Sequence, residues 1–380
     1  MSTISLLDSV AVRSGAGPEV ETVPALIGQM AEARPESSFL IDPETGQILT
    51  FRGLREGARQ LLARLQEAGL EKGDKIAFLL DNGLFAAQLF LGGMYGGMVS
   101  VPLNVNAGLS QLAYMLAHSD ASVVFVGDEY AKLIDDVLKQ IQRSITVIPV
   151  RRGELLVRGD EVPAAALPPM PEPADTALLM YSSGSTGRPR AAVHSHRALI
   201  AAARNSVRAH QLTSADRSLL VLPLYHINAE CVTLLPTLLS GGSVVIPSRF
   251  SVSHFWGWLE EYSCTWSAVV PTIISRLLDS EDPGPGNREA LFRRLRFLRS
   301  SSAPLAPSLH REFIEKFKLL LIQAMGSSEA GNVFSNPIPP GENKIGSPGL
   351  PWGSKQGLLI KMAPIFPREN PGECCFAVRR

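Results

Sequence analysis

At 380 residues the chain is long enough for two or three domain-sized units with a substantial core. Its 36 Lys plus Arg balance 36 Asp plus Glu, and a formal net charge of zero argues against a basic nucleic-acid surface or a polybasic membrane anchor. The four cysteines (Cys231, Cys264, Cys374, Cys375) include no C-x-x-C pair, which argues against a zinc site or disulfide scaffold and for a reducing, cytoplasmic setting.

Residues 1–20 have no periodic pattern and no basic-then-apolar leader, and read as a mobile N-terminus. A first α/β subdomain is expected over residues 21–170. Leu54–Ala68 has helical periodicity, with Ala58, Leu61, Leu62 and Leu65 on one stripe. Apolar strand-like runs lie at Ile76–Leu80, Met98–Val101, Val123–Val126 and Ile145–Ile148. Between Asp81 and Asp120 there is no Asp, Glu, Lys or Arg, and Leu84–Leu103 has the length of a membrane span. Gln88, two Gly-Gly pairs and Pro102 interrupt it, so a buried helix, a turn and a buried strand are expected, and no membrane span.

Pro163–Pro173 reads as a linker to a second α/β subdomain over 171–335. Its strand-like runs are Ala177–Tyr181, Leu219–Leu222, Val244–Ile246, Ser267–Val270, Phe297–Arg299 and Leu319–Gln323, with an exposed loop at Gly284–Gly286. Gly96-Gly-Met-Val-Ser-Val-Pro102 is echoed by Gly241-Gly-Ser-Val-Val-Ile-Pro247, each after an apolar helical run. The alternation and the echo predict an α/β fold of two similar layered subdomains with mostly parallel sheets.

The most specific signal is Tyr181-Ser-Ser-Gly-Ser-Thr-Gly-Arg-Pro-Arg190. Small hydroxyls and backbone N–H groups at this density form a concave donor surface suited to phosphate oxygens, and Arg190 adds a fixed positive charge. A flexible Ser/Gly linker has the same composition, but a linker needs neither the strand before this loop nor the helix predicted from Ser195. The Walker A pattern cannot be laid on it.

These residues resemble the signature loop of the adenylate-forming enzymes, which include acyl- and aryl-CoA ligases, luciferases and adenylation domains. That loop reads roughly [ST]-S-G-[ST]-T-G-x-P-K-G, and Ser182–Ala191 follow it with Arg190 for lysine and Ala191 for glycine. Four further segments resemble the family in the same order. Leu222-Pro-Leu-Tyr-His-Ile-Asn is similar to P-[LM]-[FY]-H, and the resemblance places His226 beside the acyl pocket. Arg299-Ser-Ser-Ser-Ala-Pro-Leu305 is similar to the adenine-contacting S-G-[GA]-A-P-L segment, with serines for small glycine-type residues. Gln323-Ala-Met-Gly-Ser-Ser-Glu329 is similar to Y-G-x-T-E, with Met325 where an aromatic residue is expected. Lys344–Gly353 resembles the G-S-[VP]-G-x-P turn, and with Ser335–Pro340 is similar to the oxalate–CoA and crotonobetaine–CoA ligase branch. On the residues alone, Glu329 lies past a predicted strand's carboxyl end, either in a ligand site or in the first turn of a helix capped by Ser327 or Ser328. His226 reads equally as a structural histidine, and His194 and His196, flanking Ser195, read as surface or packing residues.

The resemblance implies that Ser182, Ser183, Gly184, Ser185, Thr186 and Gly187 cradle phosphate with Arg190. It implies that Ser302, Ala303, Gln323, Met325 and Gly326 line the adenine region, and that Ser328 touches the α-phosphate. Glu329 is the implied magnesium ligand, and Arg190, His226 and Glu329 are the implied catalytic residues. The cofactors so implied are ATP/AMP, Mg2+ and, for a full-length protein, CoA; the partners are a small carboxylic acid and CoA or a carrier protein, without nucleic acid. The implied function is an ATP-dependent, AMP-forming acid–CoA ligase, with a carrier-loading adenylation domain or a nucleotide-binding pseudoenzyme as alternatives. Residues 336–380 are expected to begin a smaller β-rich subdomain, with Gly372-Glu373 and Phe376–Arg379 resembling a family strand. The family's ribose-binding Y-x-T-G-D segment and its C-terminal lid domain have no counterpart in these residues, so the chain reads as an N-terminal core.

Overall fold

The computed structural model describes residues 20–151, 153, 169–182, 189–280 and 288–352. The expected mobile N-terminus up to residue 19, most of the Pro163–Pro173 linker, Ser183–Gly187, the Gly284–Gly286 loop and residues 353–380 with Cys374 and Cys375 lie outside them.

From the N-terminus the elements are α1 (Val23–Ala33), β1 (Ser38–Ile41), β2 (Ile48–Thr50), α2 (Phe51–Glu67), β3 (Lys75–Leu79), α3 (Leu84–Tyr95) and β4 (Val99–Pro102). Then come α4 (Leu109–His118), β5 (Val123–Gly127), α5 (Ala131–Leu138), β6 (Thr146–Val150), β7 (Thr176–Ser182), β8 (Arg190–Ser195) and α6 (His196–His210). Next are β9 (Arg217–Leu220), a π-helical segment Asn228–Leu234 running into α7 (Leu235–Ser240), β10 (Ser243–Val245), α8 (Val252–Glu261), β11 (Trp266–Val269) and α9 (Pro271–Asp279). The last are α10 (Arg288–Arg294), β12 (Phe297–Ser300), α11 (Pro307–Phe317), β13 (Leu321–Ser327), β14 (Gly331–Ser335) and β15 (Leu350–Pro351).

Two sheets result. The smaller has the order β6-β5-β3-β4-β7-β8, parallel except for the β7–β8 hairpin. The larger has the order β15-β14-β13-β12-β11-β9-β10-β1-β2, parallel from β13 to β1 and antiparallel at both edges. The sheets do not divide the chain at residue 170: β1 and β2 join the larger sheet, while β7 and β8 complete the smaller one. Residues 350–351 extend the larger sheet as an edge strand against β14.

The smaller sheet is covered on both faces, as a parallel sheet requires. Alternation along β3 sends Ala77 and Leu79 into a core with Leu112, Leu116, Ile134 and Val137 of α4 and α5. Ile76 and Phe78 face the other way, into a core that runs continuously beneath both sheets. The predicted stripe of α2 (Ala58, Leu61, Leu62, Leu65) is buried in that second core together with Leu54, and Thr50 caps the helix by accepting a bond from the Gly53 N–H at 3.0 Å. Leu84–Leu103 folds as the 12-residue buried helix α3, a glycine turn and β4. Among the described residues no helix is long and apolar enough to cross a membrane. The echo is structural too: α3–turn–β4 and α7–turn–β10 each turn on a glycine with positive φ, Gly97 (77°) and Gly241 (73°).

Candidate functional site

The segments expected to form the site gather where parallel strands end, the position at which open α/β sheets hold ligands. His226 follows β9, Ser302 and Ala303 follow β12, Gln323 and Met325 lie on the neighbouring β13, and Ser328 and Glu329 form the β13–β14 turn. Ser300 pairs with Gln323 in register, which sets the exposed Ser302–Ala303 loop beside the end of β13. Met325 pairs with Phe334, and the register shifts between Met325 and Gly326. A Cβ on Gly326 would stand 2.0 Å from the Gly331 carbonyl oxygen, so this bulge admits no side chain. Glu329 is therefore in a β-turn and not in the first turn of a helix.

The phosphate-loop residues fall at the tip of a hairpin. Ser182 ends β7 and Arg190 begins β8 as its register partner, so the segment between them returns the chain antiparallel before α6 starts. The anticipated helix is present, capped by the Ser195 hydroxyl accepting from the Ala198 N–H at 3.2 Å. The intervening strand is a finding of the structure. Arg190, Ala192 and His194 share one face of β8, with Arg190 exposed at the hairpin end.

His194 joins the two motifs. Its Nε2 lies 2.7 Å from the Ser328 carbonyl oxygen, so the imidazole donates to the backbone of the Glu329 turn. The residue is 5% exposed, and burial lowers its pKa below the ordinary histidine range, which favours the neutral ring. Sequence reasoning gave His194 no special place, because its partner is 134 residues away. His196 has a packing role: its Nδ1 accepts from the Val23 N–H at 3.4 Å, tying α6 to α1.

The His226 loop is held from the smaller sheet. Asn82, just after β3, donates to the Leu222 carbonyl and accepts from the Leu224 N–H, both at 2.8 Å. Asn106 donates to the Tyr225 hydroxyl at 2.9 Å. His226 is exposed as a residue, and desolvation of its ring lowers its pKa. Two residues on, Asn228 opens the π-helical segment and donates to the Ser301 and Ser302 hydroxyls at 2.8 and 3.2 Å. Ser302 sits at φ 71°, in the left-handed region that favours the glycine-type residue it replaces.

Among the described residues no cluster of three His, Cys, Asp or Glu side chains could enclose a metal ion. Glu329 is an exposed single carboxylate, a donor set that suits a magnesium ion taking its other ligands from phosphate and water. A cavity of about 410 Å3 opens between the sheets, lined by residues such as Asp42, Asp81, Gly127, Ser248 and Arg249. None of the predicted site residues lines it. Its wall carries an Arg249–Asp81 ion pair at 2.7 Å, and the Tyr130 hydroxyl donates to Asp81 at 2.7 Å. Burial and that bond to Asp81 raise the Tyr130 pKa.

Known proteins resemble this chain over most of its length. The family described as "AMP-binding enzyme" matches residues 28–378. A sulfoacetate–CoA ligase from Cupriavidus necator is 40% identical over 362 residues, covering 94% of this chain and 70% of the relative. An oxalate–CoA ligase from Arabidopsis thaliana is 29% identical, covering 93% of this chain and 70% of its own length. Among solved structures, the inhibitor-bound N-terminal domain of FACL13 from Mycobacterium tuberculosis superposes with a TM-score of 0.74 at 23% identity, covering 88% of this chain and 83% of that one. At that identity the likeness shows the fold.

Proposed function

The chain belongs to the AMP-binding enzyme family, and from that premise we propose that it activates a carboxylic acid as an acyl-adenylate for transfer to CoA. In the activating step a carboxylate oxygen bonds to the α-phosphorus of ATP, and the bond from that phosphorus to the pyrophosphate oxygen breaks. The barrier is one of charge, since an anion must approach a polyanion.

The single observation that carries this reading is the His194–Ser328 hydrogen bond at 2.7 Å. It ties the strand that begins at Arg190 to the turn bearing Ser328 and Glu329, which supports phosphate donors and a metal-type carboxylate serving one nucleotide. Arg190 draws charge from the phosphate oxygens, and Ser328 donates its hydroxyl to the α-phosphate. Ser302, Ala303, Gln323 and Met325 border the base, Gly326 lets β13 close against β14 beside them, and His226 flanks the acid. Ser183–Gly187, outside the described residues, complete the phosphate cradle. A magnesium ion held by Glu329 would neutralise phosphate charge when bound.

The test is trapping of the activated acid. With ATP, magnesium, hydroxylamine and a panel of carboxylic acids, the protein should form acyl-hydroxamate and pyrophosphate in equal amounts. ATP binding without pyrophosphate release for any acid would replace this reading with a nucleotide-binding pseudoenzyme.

A further inference from the structure

Arg299 lies mid-strand in β12, between Ala268 of β11 and Ile322 of β13, and is 1% exposed. A guanidinium rarely sits in the middle of a sheet without an acid beside it. No described carboxylate pairs with it. Its three bonds go to neutral acceptors: Nη1 donates to Asn228 Oδ1 at 3.1 Å and Ser301 Oγ at 2.7 Å, and Nη2 donates to Asn332 Oδ1 at 2.9 Å.

The unfilled valences are all donors. A guanidinium has five N–H groups, so Nε–H and one hydrogen on Nη2 remain, and Nε is buried without an acceptor. Asn332, having given its oxygen to Arg299, leaves its Nδ2 buried without a partner as well. What this cluster lacks is oxygen acceptors and negative charge. Nε–H with an Nη2 hydrogen is an edge of the guanidinium that takes a carboxylate or sulfonate through two oxygens.

Neighbouring groups supply no counter-charge. Glu230, buried in the same π-helical segment as Asn228, has no hydrogen bond on either oxygen, and burial pushes its carboxyl up toward the neutral form. His210, beside Trp266 and Phe297, is held neutral by burial first and by the charges of Arg299 and Arg296 next. The cluster reaches the substrate side through Asn228, which lies two residues past His226 and bonds the exposed Ser302.

We propose that Arg299, with Asn332, is an anion-binding subsite behind Asn228 and the His226 loop, and that the acid this chain activates carries a second anionic group, a carboxylate or a sulfonate. The inference rests on the acid-activating reading of the site.

The experiment measures acid-dependent ATP–pyrophosphate exchange with acetate, propionate and butyrate against malonate, succinate, sulfoacetate and 3-sulfopropionate. The doubly anionic acids should exceed the others in kcat/KM by about 10- to 100-fold, the range of a bidentate charged contact. The relative order of carboxylates and sulfonates then identifies the distal group. Arg299→Met should collapse that ratio to near unity. Asn332→Asp, which places a carboxylate beside the guanidinium, should collapse it too, and it guards against misfolding of the first variant. Equal use of both acid classes by the unmodified protein, or a ratio unchanged in folded variants, overturns the proposal. If no acid supports exchange, the activating reading fails and thermal melting decides the subsite. A melting temperature raised by succinate or sulfoacetate but not by butyrate, with the rise lost in Asn332→Asp, upholds the subsite; no such rise overturns it.

Discussion

Acidification should unlock the helix junction at His196. This residue is fully buried at the start of α6, and its Nδ1 accepts the Val23 N–H while its Nε2 finds no acceptor. A second proton would have to enter on Nδ1, against the Val23 N–H, in a site that water does not reach. The pKa accordingly falls from 6.5 to about 4, with burial as the main cause and the Asp175 carboxylate opposing it. Because the folded value lies below the unfolded one, the unfolded chain takes up the proton first. The stability contribution is complete above pH 6.5 and is lost as the pH falls from 6.5 toward 4. At about 1.4 kcal/mol per pH unit, that displacement amounts to about 3 kcal/mol. His194, His210, His226 and His310 are displaced in the same direction, so they add to the loss. Urea unfolding of the protein and of His196→Asn, in which an amide oxygen can still accept the Val23 N–H, should be compared between pH 7 and 4. The variant should show a pH dependence flatter by close to one proton around pH 5. Parallel curves would refute the assignment of that proton to His196.

Arg190→Met removes the described cation of the phosphate hairpin at an exposed position, so exchange activity should fall by about 100- to 1,000-fold with the melting temperature unmoved. His194→Ala deletes the bond to Ser328 and should raise the KM for ATP, while His194→Gln, which keeps an N–H donor, recovers part of the loss. Steady-state kinetics at varied ATP separates the two, and an unchanged KM in the alanine variant would show that the tether is dispensable. Gly326→Ala should destabilise the protein by about 1–3 kcal/mol in urea unfolding, since its Cβ meets the Gly331 carbonyl at 2.0 Å.

Much of this architecture is legible locally. Strands buried on both faces, such as Val123–Gly127 and Trp266–Val269, are near-continuous apolar runs, and all ten predicted runs fall on or overlap strands. The strands without a local signal are edges or near edges. β1 and β2 have four and three residues, and β8 reads Arg-Ala-Ala-Val-His-Ser with Val193 63% exposed. Nothing in such a segment distinguishes a hairpin return from a loop running straight into a helix. The interleaving of the two sheets was equally hidden, because β1 pairs with β10 some 200 residues away and local periodicity says nothing about partners. For the site, motif order located His226, Ser302 and Glu329 at strand ends. His194, Arg299 and Asn332 matter because of what surrounds them, and burial of a charge or a tether between sheets has no signature in composition.

The most direct test of the central account is isotope exchange between pyrophosphate and ATP, run with magnesium and a broad carboxylic-acid panel. The account predicts exchange that depends on the acid and is reduced strongly in Arg190→Met and Glu329→Gln. Measurable ATP binding with no exchange for any acid, or exchange indifferent to both substitutions, would contradict it.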